Sequence, residues 1–350
     1  MNSNFIDVIS ASTIDRRDLF IATATRLGTT LQNIEKDFWV CWILDILFSG
    51  RADDEPRLLF KGGTSLSKAY GLISRFSEDI DITVFREDIG TTYKNEDFEE
   101  ISNKQKKRQL DKIKEACQSY IQCSLKKRLT QQISSVFDGA GLSVENLVTI
   151  DEDDPDLQTL LMHYPTVIDD GQNYIRPSIK IEAGAKSALH PHKAVFITPY
   201  IAEETGLTNF KVENVLTIEA ERTFWDKVII LHGLCSNFAT TGKLNNNGNR
   251  VSRHYYDIFK LLQSTAGQKA RIDFELAIDC ADHAKIFFNR GASWNLDGAR
   301  PGSFKLLPSP EMVTILRQDY QAMVAMIFGE IPDFDVVMDM IGDLEKQVNS

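Results

Sequence analysis

The chain has 350 residues, 43% hydrophobic and 25% charged, with a net charge of −11. Those values describe a globular protein too long for one ordinary core, so two domains are expected. They exclude a general nucleic-acid binder carried by bulk charge, a low-complexity chain and, since no apolar run approaches about 18 residues, a helical membrane protein. The five cysteines form no C-x-x-C pair and no zinc spacing. The N-terminal stretch lacks the basic start and apolar run of a secretory leader, so a reduced, cytoplasmic setting is expected.

In chain order, "LQNIEKDFWVCWILDILF" (31–48) has apolar residues at helical spacing and reads as a buried helix. "RLLF" (57–60) is a short strand. It runs into Gly62-Gly63 and then a short helix, "TSLSKAYGL", opened by a hydroxyl residue. "DIDITVF" alternates and reads as a strand. Residues 95–135 read as long helical material. The part from Lys104 to Arg128 holds nine Lys/Arg against two acids, about +7, while "DEDDPD" (151–156) is acidic. "LSVENLVTI", "LQTLLMHY", "IRPSIKIEAG", "KAVFITPYI" and "FKVENVLTI" are strand candidates. Helices are expected over 219–235, 252–263, 274–289, 309–328 and 333–347, with "NNNGNR" (245–250) as a polar loop. The coarse boundary falls near residue 218.

Strand alternation places Asp79 and Asp81 on one face, with Ile80, Ile82 and Val84 turned to a core. Two neighbouring carboxylates repel unless a cation lies between them, and hard oxygen donors suit Mg²⁺ or Mn²⁺. The plain alternative is an edge strand whose acids discourage aggregation. Upstream, Lys61-Gly62-Gly63-Thr64-Ser65 links a strand to a helix. Its glycines, helix-start N–H groups and hydroxyls suit a phosphate, though it is not a P-loop. Lys68 and Arg75 flank this stretch as phosphate ligands or helix caps. Ser77 stands two residues before Asp79, where a phosphate of its own would add charge beside the carboxylates.

The stretch "FKGGTSLSKAYGLISRFSEDIDITV", with "IEKDFWV" upstream, resembles the AbiEii/AbiGii toxin family of nucleotidyltransferases within the DNA polymerase β-like superfamily. The resemblance implies an α/β (α+β) nucleotidyltransferase core with a mixed sheet, followed by a C-terminal helical bundle. Residues 1–218 would hold the core, with N-terminal helices and the basic helical insertion near 95–135. Residues 219–350 would form a helical domain that completes the active site. It also implies a metal cluster of Asp79, Asp81 and Glu182, the last from "SIKIEAG", with Lys180 beside it on phosphate. In "IEAERTFWDKVIILHGL", Lys227 would meet the triphosphate. In "RHYYDIFKLL", Arg253 would join it, while Asp257 would orient Lys227 or move a proton.

The resulting expectation is a metal-dependent toxin of a bacterial toxin–antitoxin pair. It would transfer a nucleoside monophosphate from an NTP to an RNA acceptor such as the tRNA 3′ end, and a cognate antitoxin is its expected partner. A small-molecule nucleotidyltransferase of the antibiotic-modifying kind and a non-enzymatic nucleotide-binding module are the alternatives.

Overall fold

The structure is a computed structural model that describes residues 2–91, 95–98, 101–168, 177–244 and 248–350. The elements, in chain order, begin with three helices, α1 (Ser3–Ser10), α2 (Thr13–Leu27) and α3 (Leu31–Phe48). Strand β1 (Leu58–Lys61), helix α4 (Gly62–Lys68) and strand β2 (Ile80–Val84) follow. Helices α5 (Asn103–Ser119) and α6 (Lys126–Gly139) are joined by a π-helical stretch, Tyr120–Leu125. Strands β3 (Val148–Ile150), β4 (Thr159–His163), β5 (Ser178–Glu182) and β6 (His192–Ile197) come next. The short helix α7 (Ala202–Thr205) and strand β7 (Val212–Ile218) precede α8 (Ala220–Thr241), α9 (Ser252–Leu262), α10 (Thr265–Ala270), α11 (Phe274–Phe287), α12 (Pro310–Met323) and α13 (Phe334–Val348).

The chain divides into two compact units. The first comprises Met1–Ala69, Phe76–Tyr93 and Lys107–Thr217; the second comprises Tyr70–Arg75, Lys94–Lys106 and Ile218–Ser350. The first unit carries one seven-stranded mixed sheet in the order β3-β4-β5-β2-β1-β7-β6. β1 runs antiparallel to β2, and β2 runs parallel to β5. This is the mixed α/β architecture expected from the sequence.

Helix α3 is the spine of the first unit. It is buried on every face, with Glu35, Lys36, Asp37 and Asp45 enclosed among its apolar residues, and Phe38, Trp39 and Trp42 are fully enclosed. Trp42 stacks on Phe137 of α6 with ring centres 5.5 Å apart, and Trp39 stacks on Tyr164 at 5.3 Å. Its boundaries match the sequence reading, and Thr30 caps its start by accepting the Asn33 N–H. In the second unit α8 is similarly enclosed. The Trp225 indole N–H donates to the Ala270 carbonyl of α10 at 2.9 Å. Gly233 of α8 is forced to be glycine, because a Cβ there would stand 2.0 Å from the Trp294 ring.

Several expectations change in detail. Helix α4 opens at Gly62 rather than at a hydroxyl residue, and Lys61 caps it without a side-chain hydrogen bond. Strand β2 begins at Ile80, so Asp79 lies just before it. Only Val148–Ile150 of "LSVENLVTI" is strand, because Gly141 and Asn146 adopt positive φ ahead of it. Part of the Asn-rich loop (245–247), residues 92–94 and 99–100, the last within the basic insertion, and residues 169–176 lie outside the described residues.

Candidate active site

The register of three neighbouring strands assembles the carboxylates of the first unit. Asp81 of β2 is the Cα partner of Lys61 on β1 and of Glu182 on β5. Lateral partners share a sheet face, so Asp81 and Glu182 stand side by side. Both are reachable by solvent, with side chains 23% and 43% exposed. The core side of β2 is supplied by Ile80, Ile82 and Val84, all buried.

Two lysines sit among these acids. Lys61 Nζ lies 3.7 Å from Asp81 Oδ1. Lys180 Nζ lies 3.1 Å from Glu182 Oε1 and 3.4 Å from Asp151 Oδ2. Burial pulls the Lys180 ammonium down, but Glu182, Asp151 and Asp79 together outweigh it and hold it above its ordinary value. Asp151 was not singled out in the sequence. It belongs to "DEDDPD", which reads as solvated charge, and only the return of β4 against β5 brings it to Lys180.

The glycine turn has a specific steric reason. Gly62 adopts φ +76°, and a Cβ there would stand 2.1 Å from Asp81 Oδ2. Any other residue would push the carboxylate aside. The hydroxyls that follow are turned inward. Thr64 and Ser65 are fully buried. Thr64 Oγ1 lies 2.5 Å from the Asp79 carbonyl oxygen and 2.8 Å from Ser77 Oγ, and Ser65 donates to the Gly62 carbonyl at 2.9 Å. Lys68 is also spent internally. Its ammonium is buried 2.6 Å from Asp37 Oδ1 and 3.6 Å from the centre of the Tyr200 ring. Burial pulls Lys68 down, yet Asp37 beside it holds it above its usual range. These three side chains, expected on phosphate, are thus engaged with the protein.

Helix α3 supplies supports that the sequence reading missed. Lys36 pairs with Glu78, next to Asp79, and Asp37 takes Lys68 and the Tyr200 N–H, the latter at 2.8 Å. The available signal was their setting: charged residues inside a helix that is otherwise largely apolar and buried must have partners.

The second unit holds a separate cluster. Arg75 grips Asp257 with two parallel bonds, Nε to Oδ1 at 2.7 Å and Nη2 to Oδ2 at 2.8 Å. Lys227 Nζ reaches Asp257 Oδ2 at 2.9 Å. Asp257 is wholly enclosed. Burial pushes its carboxyl up, but Arg75 and Lys227 outweigh that and hold it well below the ordinary carboxylate range. Lys227 is pulled down by burial, and Arg75 and Arg253 add to this, because one carboxylate serves several cations. Asp257 thus binds Arg75 and Lys227 at once, while Arg253 sits half-buried on the same helix, α9.

Among the described residues no three His, Cys, Asp or Glu side chains converge closely enough to enclose a metal ion. The donors of the first unit nevertheless suit one. Asp81 and Glu182 are hard oxygen donors on one face, and the ammonium groups of Lys61 and Lys180 stand against them.

The first unit thus combines a mixed sheet, a partly exposed carboxylate face and a glycine that packs against Asp81, and the family comparison supplies the class. The profile described as "Nucleotidyl transferase AbiEii toxin, Type IV TA system" matches residues 45–340. The chain belongs to this family of nucleotidyltransferase toxins of type IV toxin–antitoxin systems. Among solved structures it is similar to MenT4, a nucleotidyltransferase toxin of Mycobacterium tuberculosis. The identity is 15%, 94% of this chain and 97% of that one are covered, and the TM-score is 0.41. No curated protein matches the chain. Among the described residues no helix is long and apolar enough to cross a membrane.

Proposed function

We propose that this nucleotidyltransferase transfers a nucleoside monophosphate from an NTP to an RNA acceptor such as the tRNA 3′ end, using a divalent metal held by Asp79, Asp81 and Glu182. The observation that carries the reading is the lateral Asp81–Glu182 pair, kept open by a glycine that Asp81 itself makes obligatory. Mg²⁺ or Mn²⁺, when bound, would activate the attacking hydroxyl and offset charge on the leaving pyrophosphate. Asp79, Asp81 and Glu182 supply the oxygen donors. Lys61 and Lys180, now paired with those acids at contact distances of 3.7 and 3.1 Å, are free to turn to phosphate oxygens once the carboxylates are otherwise engaged. Gly62 and Gly63 keep side chains out of the approach. Within the second unit, Lys227 and Arg253 are proposed as phosphate-binding cations in their own right, with Asp257 fixing the first of them.

The RNA acceptor is favoured by α5. Lys104, Arg108 and Lys112 recur every four residues along it and are exposed, as is Lys107. Four residues advance a helix by about 6 Å, close to the spacing of backbone phosphates. Lys114 and Arg128 do not join this row, since Asp156 and Glu55 hold them at 2.7 and 2.9 Å.

The test is label transfer. Purified protein is incubated with each α-labelled NTP, Mg²⁺ and total tRNA. Label on tRNA supports the reading and names the nucleotide. Label on a small hydroxyl compound but not on RNA contradicts the RNA acceptor and favours the antibiotic-modifying alternative. Nucleotide binding without transfer to any acceptor contradicts the reaction itself.

A further inference from the structure

Asp79 and Asp81 are secured by different means. Asp81 lies in the ladder between Lys61 and Glu182, whereas Asp79 precedes β2, whose pairing starts at Ile80. Thr64 of α4 meets this approach. Its Oγ1 is 2.5 Å from the Asp79 carbonyl oxygen and 2.8 Å from Ser77 Oγ. A carbonyl oxygen only accepts, so the single Thr64 hydroxyl proton goes to Asp79. Ser77 must then donate to Thr64. The chain of bonds has one direction: the Ser77 hydroxyl to the Thr64 hydroxyl to the Asp79 carbonyl. From the other side, Lys36 of α3 pairs with Glu78. Thr64 is fully buried, so water cannot replace its bond to Asp79, and a buried hydrogen bond of this kind holds its acceptor firmly.

We propose that Thr64 is a positioning residue: its hydroxyl fixes the Asp79 backbone, and with it the spacing of the Asp79 and Asp81 carboxylates needed to hold a divalent cation. This rests on the reading that those carboxylates bind metal. It gives Thr64 a role different from the phosphate contact its place in "KGGTS" implies. A fully buried hydroxyl already committed to a carbonyl is not offered to a substrate. The hydroxyl serves Asp79.

The test compares wild type with Thr64→Val, which keeps the shape and removes the hydroxyl, and Thr64→Ser, which keeps the hydroxyl. Mn²⁺ is titrated into each by calorimetry without nucleotide, and transfer is then measured across metal concentrations. Thr64→Val should weaken Mn²⁺ binding about 10- to 100-fold, the usual effect of removing a residue that orients a metal ligand. Its activation curve should move to higher metal concentration, with kcat falling more than KM for NTP rises. Thr64→Ser should restore both. Mn²⁺ binding by Thr64→Val equal to that of wild type overturns the proposal alone. Wild type that takes up no Mn²⁺ overturns the metal reading, and the proposal with it. Should Thr64→Val fail to fold, Thr64→Cys carries the comparison, since a thiol is a much weaker donor; wild-type affinity in that variant overturns the proposal.

Discussion

The carboxylates of the first unit and the carboxylate of the second are neutralised in opposite ways. Asp81 and Glu182 are partly exposed, and their lysines sit at 3.7 and 3.1 Å. Asp257 is sealed from solvent and gripped by Arg75 and Lys227 at 2.7 to 2.9 Å. Exposed pairs contribute about 0–1 kcal/mol and exchange partners freely, whereas breaking a buried pair leaves an uncompensated charge. The first arrangement suits a site that must trade its counter-ions for metal and nucleotide. The second suits a fixed support that holds one lysine in place.

The sharpest way to break this contrast is to remove the acids of each cluster in turn. Asp79→Ala/Asp81→Ala should lower nucleotidyl transfer about a thousandfold or more, because on the proposed reading several kcal/mol of charge stabilisation depends on a metal ion at these carboxylates. The melting temperature should stay level or rise, since two like charges are removed. Asp257→Ala should do the reverse to the fold, costing about 3–5 kcal/mol of stability in urea denaturation by stranding Arg75 and Lys227. Glu182→Ala, by comparison, should change stability by about 1 kcal/mol or less. A Glu182→Ala cost as large as that of Asp257→Ala would erase the distinction.

Acid sharpens the same point. The folded-state value of Asp257 is depressed, so its stabilising contribution is fully present above about pH 4, the ordinary aspartate value. It is lost as pH falls below that toward the folded value. The stability lead of wild type over Asp257→Asn should therefore shrink on acidification through this window, as followed by urea midpoints at stepped pH. The smallest effect is expected on α5. Lys104→Ala/Arg108→Ala/Lys112→Ala should leave transfer at low salt nearly intact and flatten the logarithmic salt dependence of RNA binding by about two to three units.

Much of this was legible in the sequence because the signals are local. "DIDITV" alternates, "KGG" marks a close approach, and the helical spacing of apolar residues from Leu31 gives α3 to its last residue. The direction of individual side chains was not. Thr64 and Ser65 look like phosphate ligands in the string, yet the turn at Gly62 rotates both hydroxyls into the protein. Lys68 looks available until Asp37, 31 residues upstream, is found beside it. Asp151 reaches Lys180 only because β4 folds back on β5. Such pairings depend on distant packing, which no local period records. Of the N-terminal helices only α3 was read from its own residues; the mostly polar α2 carries little amphipathic signal.

The central claim is that the sheet-face carboxylates drive metal-dependent nucleotidyl transfer. Pyrophosphate release from each NTP, with total tRNA present, tests it most directly in wild type and Asp79→Ala/Asp81→Ala, with and without Mg²⁺. The account predicts release with at least one NTP that needs both Mg²⁺ and the intact aspartates. Release that persists in the doubly substituted protein, or that ignores Mg²⁺, would contradict it.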